Sequence, residues 1–214
     1  MKLYSDDQSP FCAPVRAAIY AKGLDLAIEP PPGGLKSEEY RRASLTGTIP
    51  CLILDDGSPL PESAVIIDYL EDRFPDPALL PAGPEARARV RLLRAFAQDL
   101  TAATVGLFHD LQEGAGEAAK AKAREKFERS LGLLEAAIAA DGFAAGPALT
   151  VADCVLGPAL MAMPMMGPLV GRPTLLADHP KTAAYFGRVS QHPPVARVLG
   201  EVQAALAQSG FSFN

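Results

Sequence analysis

The residues best suited to chemistry lie in two short stretches of the first third of the chain. Ser9-Pro10-Phe11-Cys12 sets a hydroxyl and a thiol at a helix start, since serine followed by proline is a cap and a first helical residue. A hydroxyl there can donate to an anionic sulfur, and the helix dipole adds about 0.3 to 1 kcal/mol toward the anion. Ser9 is therefore a candidate for chemistry, although on its own spacing capping is the better account of it. Cys12 is the rival nucleophile. It has no resolving partner nearby, and a buried cysteine that packs as a small hydrophobe is the better account of it.

The second stretch runs from Gly47 to Tyr69. Ile49-Pro50 leads into the run Cys51-Leu52-Ile53-Leu54, and a proline at the first position of a strand interrupts no ladder. A cis Ile49-Pro50 bond would turn the Ile49 amide and carbonyl outward, and the sequence leaves the isomer open. Asp56-Gly57 is a hairpin signal. Glu62-Ser63 then opens a helix, where the Ser63 amide and hydroxyl and the dipole favour an anion such as a small carboxylate.

The elements that must position these residues follow from pattern and punctuation. Lys2-Leu3-Tyr4-Ser5 predicts a strand, Ser9 to Lys22 a helix stopped by Gly23, and Leu24 to Ile28 a second strand. Ser37 to Ser44 is a weak polar helix. Strands at about 50–54 and 58–60 and a helix over 62–73 complete the order βαβαββα, the thioredoxin arrangement. Prolines 75, 77, 81 and 84 mark a linker. Beyond it Val90, Leu93, Ala97, Leu100, Thr104 and Leu107 recur at helical steps and predict a helix from Glu85 to Gln112. Phe127, Leu131, Leu134 and Ile138 mark another, and Thr150-Val151-Ala152-Asp153 is a capping box that opens a third, with Leu149 as its staple. His179-Pro180 and His192-Pro193-Pro194 introduce the last two helices. The predicted fold class is α/β plus all-α: a thioredoxin-like domain over 1–76, a linker over 77–84 and a helical bundle over 85–214.

Composition narrows the function. Twenty basic against 25 acidic residues give a net charge of -5, which removes the basic field of a nucleic-acid binder. Three cysteines, Cys12, Cys51 and Cys154, stand at no metal-ligand spacing, so neither a disulfide framework nor a metal site is expected and a reducing cytoplasm fits. The charged start lacks the apolar run of a secretory signal. The uncharged stretch Cys154 to Gly171 is broken by three prolines, which predicts a buried helix that breaks rather than a membrane span. Arg87, Arg91 and Arg94 share a helix face, read as solvated or as part of a dimer contact. Met161, Met163, Met165 and Met166 read as core filling, with a pocket wall as the other possibility.

Ile49-Pro50 with Glu62-Ser63-Ala64-Val65-Ile66 twelve positions beyond Pro50 resembles the glutathione-binding half of the glutathione S-transferase family. Ser9, with Arg16 seven positions on and Gly23 seven further, is spaced as in its serine and cysteine classes, and the motif spacing is similar to the bacterial serine-type, zeta and omega classes. Ser9-Pro10-Phe11-Cys12 also looks like a glutaredoxin motif with serine for the first cysteine.

The resemblance implies that Ser9 stabilises the glutathione thiolate without losing its own proton. Ile49 beside a cis Pro50 would pair with the cysteinyl backbone, Glu62 and Ser63 would hold the γ-glutamyl end, and Phe11 would complete the binding set. Lys36, fourteen positions before Pro50, matches the omega-class lysine on the glycine carboxylate. Phe11 and Phe108 are candidates for the wall of a hydrophobic substrate pocket. Ser44-Leu45, where many relatives have Asn-Pro, departs from the pattern and bears on the path of the second helix.

The implied activity is transfer of glutathione to a hydrophobic electrophile, a detoxification chemistry, in a homodimer pairing the first domain of one subunit with the second of the other. Isomerisation, dehalogenation or ether cleavage by the same thiolate, thiol-disulfide exchange through Cys12, and a non-enzymatic glutathione carrier or structural dimer are the alternatives.

Overall fold

The computed structural model describes residues 1–210. The expected helical domain runs to 214, and its last four positions lie outside the described residues. The first half contains β1 (Lys2–Tyr4), α1 (Cys12–Ala21), β2 (Ala27–Glu29), α2 (Glu38–Ala43), β3 (Cys51–Ile53), β4 (Pro59–Pro61) and α3 (Ser63–Arg73), in the expected order. The sheet order is β2-β1-β3-β4. β1 and β2 run parallel, as a crossover through α1 requires, and β3 is antiparallel to both β1 and β4. The β3–β4 hairpin turns at Asp56-Gly57, where the Gly57 amide donates to the Leu54 carbonyl at 3.0 Å.

α1 ends as the sequence dictates. Gly23 takes φ +62, and the amides of Leu24 and Gly23 donate to the carbonyls of Ile19 and Tyr20, a Schellman closure that an L side chain would strain. α2 is short yet well anchored. Ser37 caps it by accepting the Tyr40 amide at 2.9 Å, and the buried Tyr40 ring meets Tyr4 edge-on at 5.5 Å. One buried aromatic side chain thus supplies what the polar remainder of α2 lacks.

The linker is clamped. Lys22 Nζ pairs with the Glu71 carboxylate at 2.7 Å and donates to the carbonyls of Phe74 and Pro77. Glu71 in turn accepts the amides of Leu79 and Leu80. Both charges are buried, so losing either partner would cost about 3 to 5 kcal/mol.

The second half contains α4 (Pro84–Gln112), α5 (Glu117–Ala137), α6 (Val151–Met161), α7 (Met163–Leu169), a 3-10 turn (Leu175–Asp178), α8 (Pro180–Val189) and α9 (Pro193–Gln208). α6 is buried along nearly its whole length and starts at the expected capping box. Asp153 Oδ2 accepts both the amide and the hydroxyl of Thr150 at 2.8 Å, while Oδ1 accepts the Ala144 amide at 2.8 Å and the Tyr185 hydroxyl at 3.0 Å. Burial nevertheless pushes the Asp153 carboxyl up from its usual range, against the opposing pull of those hydrogen bonds. α6 and α7 meet at a 43° bend, and no single described helix is long and apolar enough to cross a membrane. Gly157 lets α9 approach α6, since a Cβ there would stand 2.7 Å from a Val195 methyl. One hydrophobic core runs through both halves, from Leu3 and Val15 to Leu156 and Val198.

Candidate active site

Ser9 closes the loop that follows β1. The Asp6 carboxylate accepts the Gln8 amide at 2.8 Å and its carbonyl accepts the Ser9 amide at 3.2 Å, which turns the chain toward α1. The Ser9 carbonyl then accepts the amides of Cys12 and Ala13, both at 3.1 Å, and its hydroxyl oxygen accepts the Cys12 amide at 3.3 Å. Ser9 is thus the functional cap, although regular helix begins at Cys12 rather than at Pro10. Its side chain is half-buried.

Two depressions meet at this segment. A cleft of about 210 Å³ is lined by Phe11, Thr48, Ile49, Pro50, Glu62 and Ser63. A larger cavity of about 450 Å³ is lined by Gln8, Pro10 and Ala13 from the first half and by Phe108, Pro158, Met161, Ala162, Met165, Pro168, Leu169, Val202 and Leu206 from the second. Gln8 and Pro10 wall the cavity and Phe11 walls the cleft, with Ser9 between them.

The cleft has features that point to binding rather than to packing. The Ile49-Pro50 bond is cis. Glu62 is the one described non-glycine residue with positive φ, at φ 72 and ψ 112, a conformation costing on the order of 1 to 3 kcal/mol that clusters at ligand sites. Ser63 follows as the first residue of α3, so unpaired first-turn amides and the positive end of the dipole face the cleft's end. Thr48 is held by Tyr40, whose hydroxyl donates to its carbonyl at 2.6 Å.

Of the expected site residues, Ile49, Pro50, Glu62, Ser63 and Phe11 converge on the cleft beside Ser9, and Phe108 lines the cavity. Phe11, expected on both, walls only the cleft. Lys36 is exposed and lines neither depression. Cys12 is fully buried, and burial pushes its thiol up despite hydrogen bonds from its surroundings, Ser9 first among them.

The methionines divide. Met163 and Met166 fill the core as expected, while Met161 and Met165 line the cavity. Arg94 is not on a solvated face: it forks onto Asp68 of α3 with contacts of 2.5 and 3.1 Å. Sequence reasoning missed Thr48, for which adjacency to Ile49 was the available signal. It also missed Val202 and Leu206, whose four-residue spacing on α9 marks an apolar face without saying what it faces.

A four-stranded thioredoxin-like domain followed by a helical domain defines the class of architecture. Residues 3–78 match the family described as glutathione S-transferase, N-terminal domain, and residues 117–188 match glutathione S-transferase, C-terminal domain. The chain is similar to a stringent starvation protein A homolog of Coxiella burnetii, 31% identical over 78% of each chain. It is also similar to a probable glutathione S-transferase of Zea mays, 30% identical over 99% of this chain and 95% of the relative.

Among solved structures, a glutathione S-transferase of Methylobacterium radiotolerans in complex with glutathione sulfonate superposes with a TM-score of 0.81 at 25% identity, covering 92% of this chain and 93% of the other. A maleylacetoacetate isomerase of a Methylobacterium, with malonate and glutathione bound, superposes with a TM-score of 0.74 at 26% identity, covering 95% and 98%. The chain belongs to the glutathione S-transferase family.

Proposed function

We propose that the protein is a glutathione transferase that ionises the glutathione thiol beside Ser9 and directs it at an uncharged, hydrophobic electrophile in the adjoining cavity. The observation that carries this reading is that the segment Gln8 to Phe11 walls both depressions, with the Ser9 hydroxyl at the helix start between them. In this reading the Ile49 backbone pairs with the cysteinyl unit, and Glu62 and Ser63 hold the γ-glutamyl end. The thiol proton leaves to solvent. Ser9 keeps its own proton and donates a hydrogen bond to the sulfur, so a nucleophile is available at neutral pH. The sulfur then forms a bond to the electrophilic carbon and the leaving group departs with its electron pair. Lys36 reaches the glycine carboxylate only if its exposed side chain turns toward the cleft, and it is retained here as a binding residue on resemblance alone.

Glutathione-dependent isomerisation is the second reading, favoured by the isomerase among the structural relatives. The cavity weighs against a carboxylate substrate. Among the described residues Gln8 is its one polar side chain, and an uncompensated carboxylate in such surroundings costs several kcal/mol. Dehalogenation and ether cleavage would use the same thiolate on a neutral substrate. Thiol exchange through Cys12 is disfavoured by its complete burial.

We assign glutathione binding to residues 1–76, the linker to 77–84 and most of the electrophile wall to the helical half over 85–214. We also place the protein in the cytoplasm as a homodimer. Exposed Val65 and Leu92, on helices α3 and α4 that Asp68 and Arg94 tie together, support an apolar face for a second copy.

Conjugation of aryl halides tests the central claim. Ser9→Ala should collapse turnover and Cys12→Ser should preserve it. The reverse pattern would assign the chemistry to Cys12, and tight glutathione binding without turnover of aryl halides, maleyl compounds or aryl ethers would support the carrier.

A further inference from the structure

Beyond the two depressions, the molecule holds a buried charge cluster that the mechanism above does not use. Arg16, on α1, has a side chain only 1% exposed. Its Nη1 donates to the Glu201 carboxylate of α9 at 2.9 Å and also to the Asp7 carboxylate, while Nη2 donates to the Asp7 carbonyl at 3.1 Å. Nε has no partner. Nη1 thus bridges α9 and the loop, while Nη2 holds the loop alone, two positions ahead of Ser9.

Glu201 gathers two more donors, Tyr20 Oη at 2.9 and 3.2 Å and Arg197 Nε at 3.1 Å, and the Arg197 guanidinium lies 3.7 Å from the Tyr20 ring centroid. Burial, and then the bond to Glu201, push the Tyr20 hydroxyl up to about 12, so it remains a donor throughout the working range. One turn further along α9 the Ala205 carbonyl accepts from the Gln8 side chain at 3.1 Å. The neighbouring Val202 and Leu206 line the apolar cavity.

The same two turns of α9 thus hold the Asp7-Gln8 loop and form one wall of the electrophile site. Asp7 is 54% exposed and Glu201 25%, so Glu201 is the better shielded of the two anions that hold the buried cation.

We propose that Glu201 is a positioning residue which, through Arg16, fixes the loop ahead of Ser9 to the helix that walls the cavity, so that filling the cavity and holding the glutathione thiolate are coupled. This rests on the assignment of Ser9 and the cleft to glutathione. The direction of the expected effect separates positioning from plain charge. Removing a carboxylate near an anionic sulfur would by itself favour the thiolate. Losing the fixed loop would disfavour it.

The test follows bound thiolate by ultraviolet absorbance against pH in the full chain, and measures glutathione affinity with and without saturating naphthalene as an unreactive cavity ligand. In the wild type naphthalene should tighten glutathione binding by about fivefold, at the low end of ordinary coupling between sites. In Glu201→Gln, which keeps the side-chain shape, the thiolate midpoint should rise and that factor should fall toward one. Arg197→Ala, which removes a surface partner of Glu201 but leaves the Arg16 pair, should change neither. A midpoint in Glu201→Gln that is unchanged or lower overturns the proposal, as does a wild type in which naphthalene leaves glutathione affinity untouched. If Glu201→Gln does not fold, Glu201→Asp, which keeps the charge but shortens the reach to Arg16, takes its place, with a smaller rise expected and the same outcomes decisive. A wild type that binds no thiolate at any pH would instead overturn the glutathione assignment itself.

Discussion

The hydroxyls that open α1 and α6, Ser9 and Thr150, are used differently. At α6 the Thr150 hydroxyl is spent on Asp153, which also takes the Thr150 and Ala144 amides and the Tyr185 hydroxyl, and the whole knot is buried. At α1 the Ser9 hydroxyl oxygen accepts one amide at 3.3 Å, no carboxylate among the described residues claims its proton, and the side chain is half-buried where a polar cleft meets an apolar cavity. A cap satisfied from every side is structural. One that keeps a proton to give, at the positive end of a helix and beside open space, can serve an anion as well.

The sharpest way to break this contrast is at the closed start. Asp153→Ala leaves four buried donors without their acceptor, at about 1 to 3 kcal/mol each when unrelieved. Allowing for relaxation, a loss of about 3 to 5 kcal/mol in unfolding free energy is expected by denaturant titration, with specific activity of the remaining folded protein unchanged. A variant as stable as the wild type would remove the structural half of the comparison.

At the open start the balance should invert. Ser9→Ala should lower kcat/KM for conjugation on the order of a hundredfold, the usual result of losing one donor to a developing anion. Stability should fall by about 1 kcal/mol, the ordinary cost of a lost cap. A large loss of stability with little loss of rate would make Ser9 a second Thr150.

The smallest effect comes from a third helix start. Burial pushes the Glu135 carboxyl up, but the Thr182 and Lys181 amides and the Thr182 hydroxyl outweigh it and hold the group below its ordinary value of 4.5. A carboxyl depressed on folding contributes stability above its unfolded pKa, and that contribution is lost as pH falls through the folded value. The Tm gap between wild type and Glu135→Gln should therefore be widest near neutral pH and close as the solution is acidified below about 4.5. A gap that widens in acid would reverse the assignment.

Much of this was legible in advance because it is local. The cap at Ser9, the stop at Gly23, the Asp56-Gly57 hairpin, the helix start at Glu62-Ser63 and the box at Thr150 to Asp153 are each written within about five residues, the range over which side chains meet their own backbone. The break in the helix from Val151 was legible for the same reason, in its prolines. α2 was hard to read because a single buried ring, Tyr40, stabilises it through partners on β1 and at Thr48.

Sequence by itself therefore determined the order of elements in the first half, several of the helix starts and every cleft residue but Thr48. Tertiary structure alone decided which methionines wall a cavity, that Lys22 and Glu71 clamp the linker, and that Glu201 reaches Arg16 across 185 positions of chain. Helical periodicity says which face of an element is apolar or charged. What stands opposite that face is set by how the elements pack, and no local spacing encodes it.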